Sequence, residues 1–93
     1  MSPAPPKNEK RRHLRRARVG RAVLIHGPTG RTFACELLDF SEAGARLRLV
    51  SVDLPDRHLT LVDGERGLVH ETRIVWREAL LVGIEFTATA KVP

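Results

Sequence analysis

Tyrosine is absent from these 93 residues, and Phe33, Phe40, Trp76 and Phe86 are the whole aromatic complement. With four such side chains, the platform on which successive bases of a single strand of nucleic acid stack is hard to build. Cysteine is almost absent too. The lone Cys35 excludes an internal disulfide and a cysteine zinc cluster, and a reduced, cytoplasmic setting is expected. No apolar run approaches the roughly 20 residues that cross a bilayer. The polar N-terminus lacks the apolar stretch of a secretory signal. His13, His26, His58 and His70 are scattered, with neither an HExxH motif nor a pair at i, i+4. Gly27-Pro28-Thr29-Gly30-Arg31 lacks the Lys and Ser/Thr of a phosphate-binding P-loop and reads as a hairpin turn. Cys35 falls in a strand pattern, where a small buried hydrophobe is the ordinary role. No enzyme, metal or cofactor is expected.

What is present is one small domain with an uneven charge. The net charge of +5 is a poor average. Lys7, Lys10, Arg11, Arg12, Arg15, Arg16, Arg18 and Arg21 face only Glu9 in the first 21 residues, whereas the remainder is slightly acidic. Such a segment attracts phosphates, whether of a small ligand, a nucleic acid or an anionic surface, or is simply a solvated basic arm.

Residues 1–10, with Pro3, Pro5 and Pro6, read as a disordered tail. The adjoining basic stretch carries too few apolar residues for an amphipathic helix and reads as a flexible arm. From Ala22 onward the pattern is β. Strands are expected over Ala22–His26 and Thr32–Leu38, hairpin-paired across the Gly-Pro turn. A loop over Asp39–Gly44 precedes an alternating strand in which Ala45, Leu47 and Leu49 face a core and Arg46 and Arg48 face out. Further strands are expected at Leu59–Val62, Leu68–Arg77 and Leu80–Phe86, the last two joined by a turn at Glu78-Ala79. Residues 88–93 read as a trailing tail. Six short antiparallel strands close most simply into a barrel, which removes exposed edges. The fold expected is all-β, a six-stranded antiparallel barrel over 11–87 that includes the arm.

Two arginines in Arg12-x-x-x-Arg16 precede the first strand, and Asp39-x-Ser41-x-x-Gly44 comes after the second. Guanidinium groups offer planar paired donors that match phosphate oxygens or the O6/N7 edge of guanine. A carboxylate only accepts, which suits the N1–H and N2–H donors of guanine. A glycine lets a ligand approach the backbone. This set suits a guanine-containing phosphate ligand.

The order of these elements, with Ile74-Val75-Trp76-Arg77 and Val82-Gly83-Ile84-Glu85-Phe86 at the end, resembles the PilZ domain, a bacterial receptor module for cyclic di-GMP. The resemblance covers about residues 11–86 and implies a six-stranded antiparallel barrel. It implies that Arg12 and Arg16 grip the phosphates and a guanine. Asp39 and Ser41 would bind guanine edge and phosphate, and Gly44 would keep the loop tight. Arg11 and Arg15 form the same spacing one residue earlier and are auxiliary candidates. An arginine just before the motif goes in this family with a stacked ligand dimer, so Arg11 implies two cyclic di-GMP molecules per chain. Trp76 is either a half-exposed wall residue or an auxiliary residue beside a bound guanine. Arg46, Arg48 and Arg73 are expected to decorate the outer face.

The function expected is a cyclic di-GMP receptor or adaptor whose arm changes conformation on binding and relays the signal to an unidentified partner protein. Two alternatives stand beside it. One is a PilZ-like adaptor that binds a protein and not the nucleotide. The other is a small basic barrel that binds nucleic acid, which the near-neutral body and scarce aromatics disfavour.

Overall fold

A computed structural model describes residues 20–92. It contains six strands: β1 (Gly20–His26), β2 (Thr32–Phe40), β3 (Gly44–Leu49), β4 (Leu59–Asp63), β5 (Leu68–Glu78) and β6 (Leu81–Lys91). All pair antiparallel in the order β1-β2-β3-β6-β5-β4, and β4 returns to β1 to close the barrel. Closure satisfies the edges of the short strands, as the strand count predicts. The expected tail at 1–10 and the arm as far as residue 19 lie outside the described residues, whereas Gly20 and Arg21, expected at the end of the arm over 9–21, already belong to β1.

Alternation sets the inside of the barrel. Leu24, Leu37, Leu47, Leu59, Leu61 and Val82 are fully buried, one or two from each of five strands. Phe33, Leu49 and Ile84 extend this core, and Ile74 and Phe86 pack against it. Between β3 and β4 the chain crosses one end of the barrel, and buried Leu54 caps the core there. Arg77 holds this crossing, donating to the carbonyls of Leu54 at 2.6 Å and Val52 at 3.0 Å.

The β1–β2 hairpin closes through His26 N–H to Arg31 O at 2.9 Å and Gly30 N–H to His26 O at 2.7 Å. Gly30 takes a positive φ of 73°, which a side chain would resist. In the β5–β6 hairpin Glu78 pairs with Leu81, so the turn residues are Ala79 and Leu80, one position later than the sequence pattern suggests. The expected tail at 88–93 is corrected through Lys91: β6 continues, pairing Ala88, Thr89, Ala90 and Lys91 with β5. The alternation in Thr87–Lys91 is masked by small residues, but Thr89 faces inward and meets His70.

His70 occupies the other end of the core and is buried. Its ring stacks on Phe86 at a centroid distance of 3.8 Å and leans on Phe40 at 5.8 Å. Its Nδ1 lies 2.8 Å from Thr89 Oγ1, and its Nε2 has no partner among the described residues. Burial pushes the imidazole pKa down, and buried Asp63 opposes this only in part. A proton therefore binds the unfolded chain more readily than the folded one. The resulting stability is complete above the ordinary value of 6.5 and is lost as pH falls below it.

This packing predicts two outcomes. Leu47→Ala, at a fully buried central position, will cost about 2–5 kcal/mol in urea unfolding. Between pH 7.5 and 5.5 the wild type will lose stability with a slope of up to about 1.4 kcal/mol per pH unit from this histidine. His70→Gln will remove that component, and equal slopes in both proteins would contradict the assignment.

Candidate ligand-binding face

Strict alternation along β2 would turn Asp39 inward. Phe33, Cys35 and Leu37 face the core, and Asp39 is the next residue of that set. A β-bulge intervenes: Leu37 pairs with Leu47 and Asp39 with Arg46, leaving Leu38 as an extra residue. Leu37 and Leu38 are both buried as a result. Bulges re-aim the side chains beyond them, and this one turns Asp39 to the outer face and Phe40 to the core. Asp39 therefore belongs to a strand, not to the loop expected over Asp39–Gly44. That loop shrinks to residues 41–43.

The same device acts on β5. His70, Thr72 and Ile74 share the inner side, and Trp76 would be the next of that set. Ile74 pairs with Ile84 and Trp76 with Gly83, so Val75 is the extra residue. Trp76 emerges on the outer face with 41% of its surface exposed. Arg77 is thereby turned toward the barrel end, where it meets the Leu54 and Val52 carbonyls.

Asp39, Arg46, Gly83 and Trp76 now stand in one row across β2, β3, β6 and β5. At the usual strand spacing the row is about 14 Å long. Arg46 Nη2 lies 3.2 Å from Asp39 Oδ2. The Trp76 ring lies against the Gly83 backbone: a Cβ at Gly83 would collide with Nε1, Cε2 and Cδ1 of the indole. Beside this row Arg73 pairs with Glu85, its Nε donating at 3.0 Å.

The loop at the end of β2 is held by its own serine. Ser41 Oγ accepts from the N–H groups of Ala43 at 3.2 Å and Gly44 at 3.3 Å. Ser41 N–H donates to Gly44 O at 2.9 Å, and Phe86 N–H donates to Ala43 O at 2.8 Å. The Ser41 hydroxyl itself donates to Gly44 O at 3.4 Å, a long bond that an anion above the loop could replace as acceptor. The demand for glycine at Gly44 has a different origin from the tight loop expected: a Cβ there would strike the Ile84 carbonyl of β6. Close approach of β3 to β6, and not a left-handed φ, excludes a side chain.

Asp39, Ser41, Gly44, Ala45, Arg46, Val75, Trp76, Gly83 and Ile84 line one open cleft of about 290 Å³. Its volume sits at the low end for small-molecule sites, about 300–1,000 Å³. The structure thus brings together four of the expected site residues, Asp39, Ser41, Gly44 and Trp76. Arg12 and Arg16, with auxiliary Arg11 and Arg15, lie outside the described residues. Arg46 and Gly83, which the sequence did not single out as candidates, line the same cleft. The signals were the apolar doublets Leu37-Leu38 and Ile74-Val75, which break alternation and announce the bulges. Arg48 and Arg73 do decorate the outer face, paired with Glu36 and Glu85. Among the described residues no group of three or more His, Cys, Asp or Glu could hold a metal ion, and no helix is long and apolar enough to cross a membrane.

Barrel, loop and motif agree with a direct comparison. The chain belongs to the PilZ domain family, whose match covers residues 9–91. Comparison with curated proteins and with solved structures gave no match.

The two glycines predict different outcomes. Gly44→Ala opposes backbone against backbone and will destabilise the barrel by about 1–3 kcal/mol. Gly83→Ala will displace the indole and leave the barrel folded, because a side chain can move aside. Trp76 is the single tryptophan, so its emission reports this directly. A red shift is expected in Gly83→Ala, and an unshifted spectrum would contradict the contact.

Proposed function

We propose that this PilZ domain is a cyclic di-GMP receptor in which ligand binding fixes the N-terminal arm against the outer face of β2, β3, β6 and β5. The observation that carries this reading is the convergence of Asp39, Ser41, Gly44 and Trp76 on one cleft. Trp76 is distant in sequence from the Asp39–Gly44 motif, and a bulge on β2 and another on β5 turn Asp39 and Trp76 onto the same face.

The parts divide the work. Asp39 accepts from the guanine N1–H and N2–H, Ser41 donates to a phosphate oxygen, and the Trp76 ring supplies an apolar face for a base. Arg12 and Arg16 supply the charge that a dinucleotide with two phosphates requires. Repulsion among Arg11, Arg12, Arg15 and Arg16 opposes a compact arm until an anion neutralises them. Ordering the arm costs backbone entropy of about 1–2 kcal/mol per residue. Charge-assisted hydrogen bonds to the phosphates, each roughly twice as strong as a neutral one, offset that cost. The arm and ligand together then form a new surface for a partner protein. Arg11 supports uptake of two stacked ligand molecules.

Isothermal titration with cyclic di-GMP, with GTP as control, tests the reading. Saturable binding that GTP does not reproduce is expected, with two ligands per chain. Arg12→Ala and Arg16→Ala will each abolish it without altering the circular dichroism of the barrel. A folded wild type that binds no cyclic di-GMP would overturn the receptor reading in favour of a protein-binding adaptor.

A further inference from the structure

Arg46 sits at the centre of the outer row, and its position has no adequate explanation in stability. Its ion pair with Asp39 is 3.2 Å long with side-chain exposures of 48% and 34%. Exposed pairs of this kind contribute little. Yet the bulge at Leu38 exists on β2 directly before Asp39, and its effect is to bring that carboxylate out beside Arg46. A guanidinium has five N–H donors. One nitrogen, Nη2, meets Asp39, and the side chain lines the cleft together with Trp76 and Gly83.

The pair has a chemical reading. Guanine presents N2–H, N1–H and O6 along one edge: two donors, then an acceptor. A carboxylate beside a guanidinium presents acceptors, then a donor. Adenine on the same edge offers N1 as an acceptor and N6–H as a donor. Placed in this cleft it sets a lone pair against the carboxylate and an N–H against the guanidinium. Sites built of such groups reject the mismatched base strongly, because their own polar atoms are left unpaired.

We propose that Asp39 and Arg46 act as one unit that reads a guanine base, with the Arg46 guanidinium donating to O6 while its Nη2 stays paired to Asp39. The inference rests on the receptor reading above and assigns its base specificity. Arg46 is a contacting residue in this account, and Gly83 leaves room for the Trp76 indole beside it.

The test uses the full chain and titrates cyclic di-GMP and cyclic di-AMP into wild type, Arg46→Met and Arg46→Lys, with melting temperatures measured alongside. Arg46→Met keeps the aliphatic stem and removes the donors. It is expected to weaken cyclic di-GMP about tenfold or more and leave cyclic di-AMP unchanged, so that selectivity collapses. Arg46→Lys, which can still donate to O6, is expected to recover most of the loss. A cyclic dinucleotide of 6-thioguanine, whose sulfur accepts poorly, will bind wild type about tenfold more weakly than cyclic di-GMP, whatever the stability of the variants. Arg46→Met with wild-type selectivity, or a thio-ligand bound as tightly as cyclic di-GMP, would overturn the assignment while leaving the receptor reading intact. A wild type that binds no guanine dinucleotide would overturn both.

Discussion

The period-2 alternation of a closed barrel is the constraint on which the rest depends. Every strand must send one set of side chains inward, and a residue cannot change sides without a break in register. Leu24, Leu37, Leu47, Leu59, Leu61 and Val82 fill the interior under this rule. The same rule would bury Asp39 and direct Trp76 inward. The extra residues Leu38 and Val75 each reverse the parity of the rest of their strand. The outer face that carries the candidate cleft is therefore a product of two local violations of the rule that builds the core.

Each violation also serves the barrel. Past Leu38, Phe40 turns in and meets His70 and Phe86, closing one end of the core. Past Val75, Arg77 turns toward the other end and anchors the crossing between β3 and β4 through two carbonyls. Site and scaffold are thus coupled through single residues. Arg66 adds to the coupling: it meets buried Asp63 and lies over the Phe40 ring. The loop at 41–43 is tied on one side to its own serine and on the other to Phe86 of β6. A ligand seated above this loop would therefore contact a part of the sheet that is already positioned.

Most of the fold was legible in the sequence because alternation, turn dipeptides and strand spacing are local signals. The hairpin at Gly27–Gly30 and the facing of Leu47 and Arg48 came from such signals. The end of β6 was not legible: Thr87, Ala88, Thr89 and Ala90 are small and carry little contrast between faces. The site was legible as residue types but not as an arrangement. Motif spacing placed Asp39, Ser41 and Gly44 in a loop, whereas pairing with Arg46 draws Asp39 into β2. Arg46 looked like one more outward arginine, because its importance comes from the neighbour that the bulge supplies. Gly83 was invisible as a functional position, since its role is to leave room for the indole of a strand that pairs with it.

The central claim is that the outer face of β2, β3, β6 and β5 is the ligand face. A nitrogen-15 NMR titration of the full chain with cyclic di-GMP addresses it most directly. The account predicts saturable shifts of the Ser41, Gly44 and Gly83 amides and of the Trp76 indole N–H, with small changes at Val23 and Val62 on the opposite face. Shifts that cluster at Val23 and Val62 and leave the Trp76 indole unmoved would contradict it.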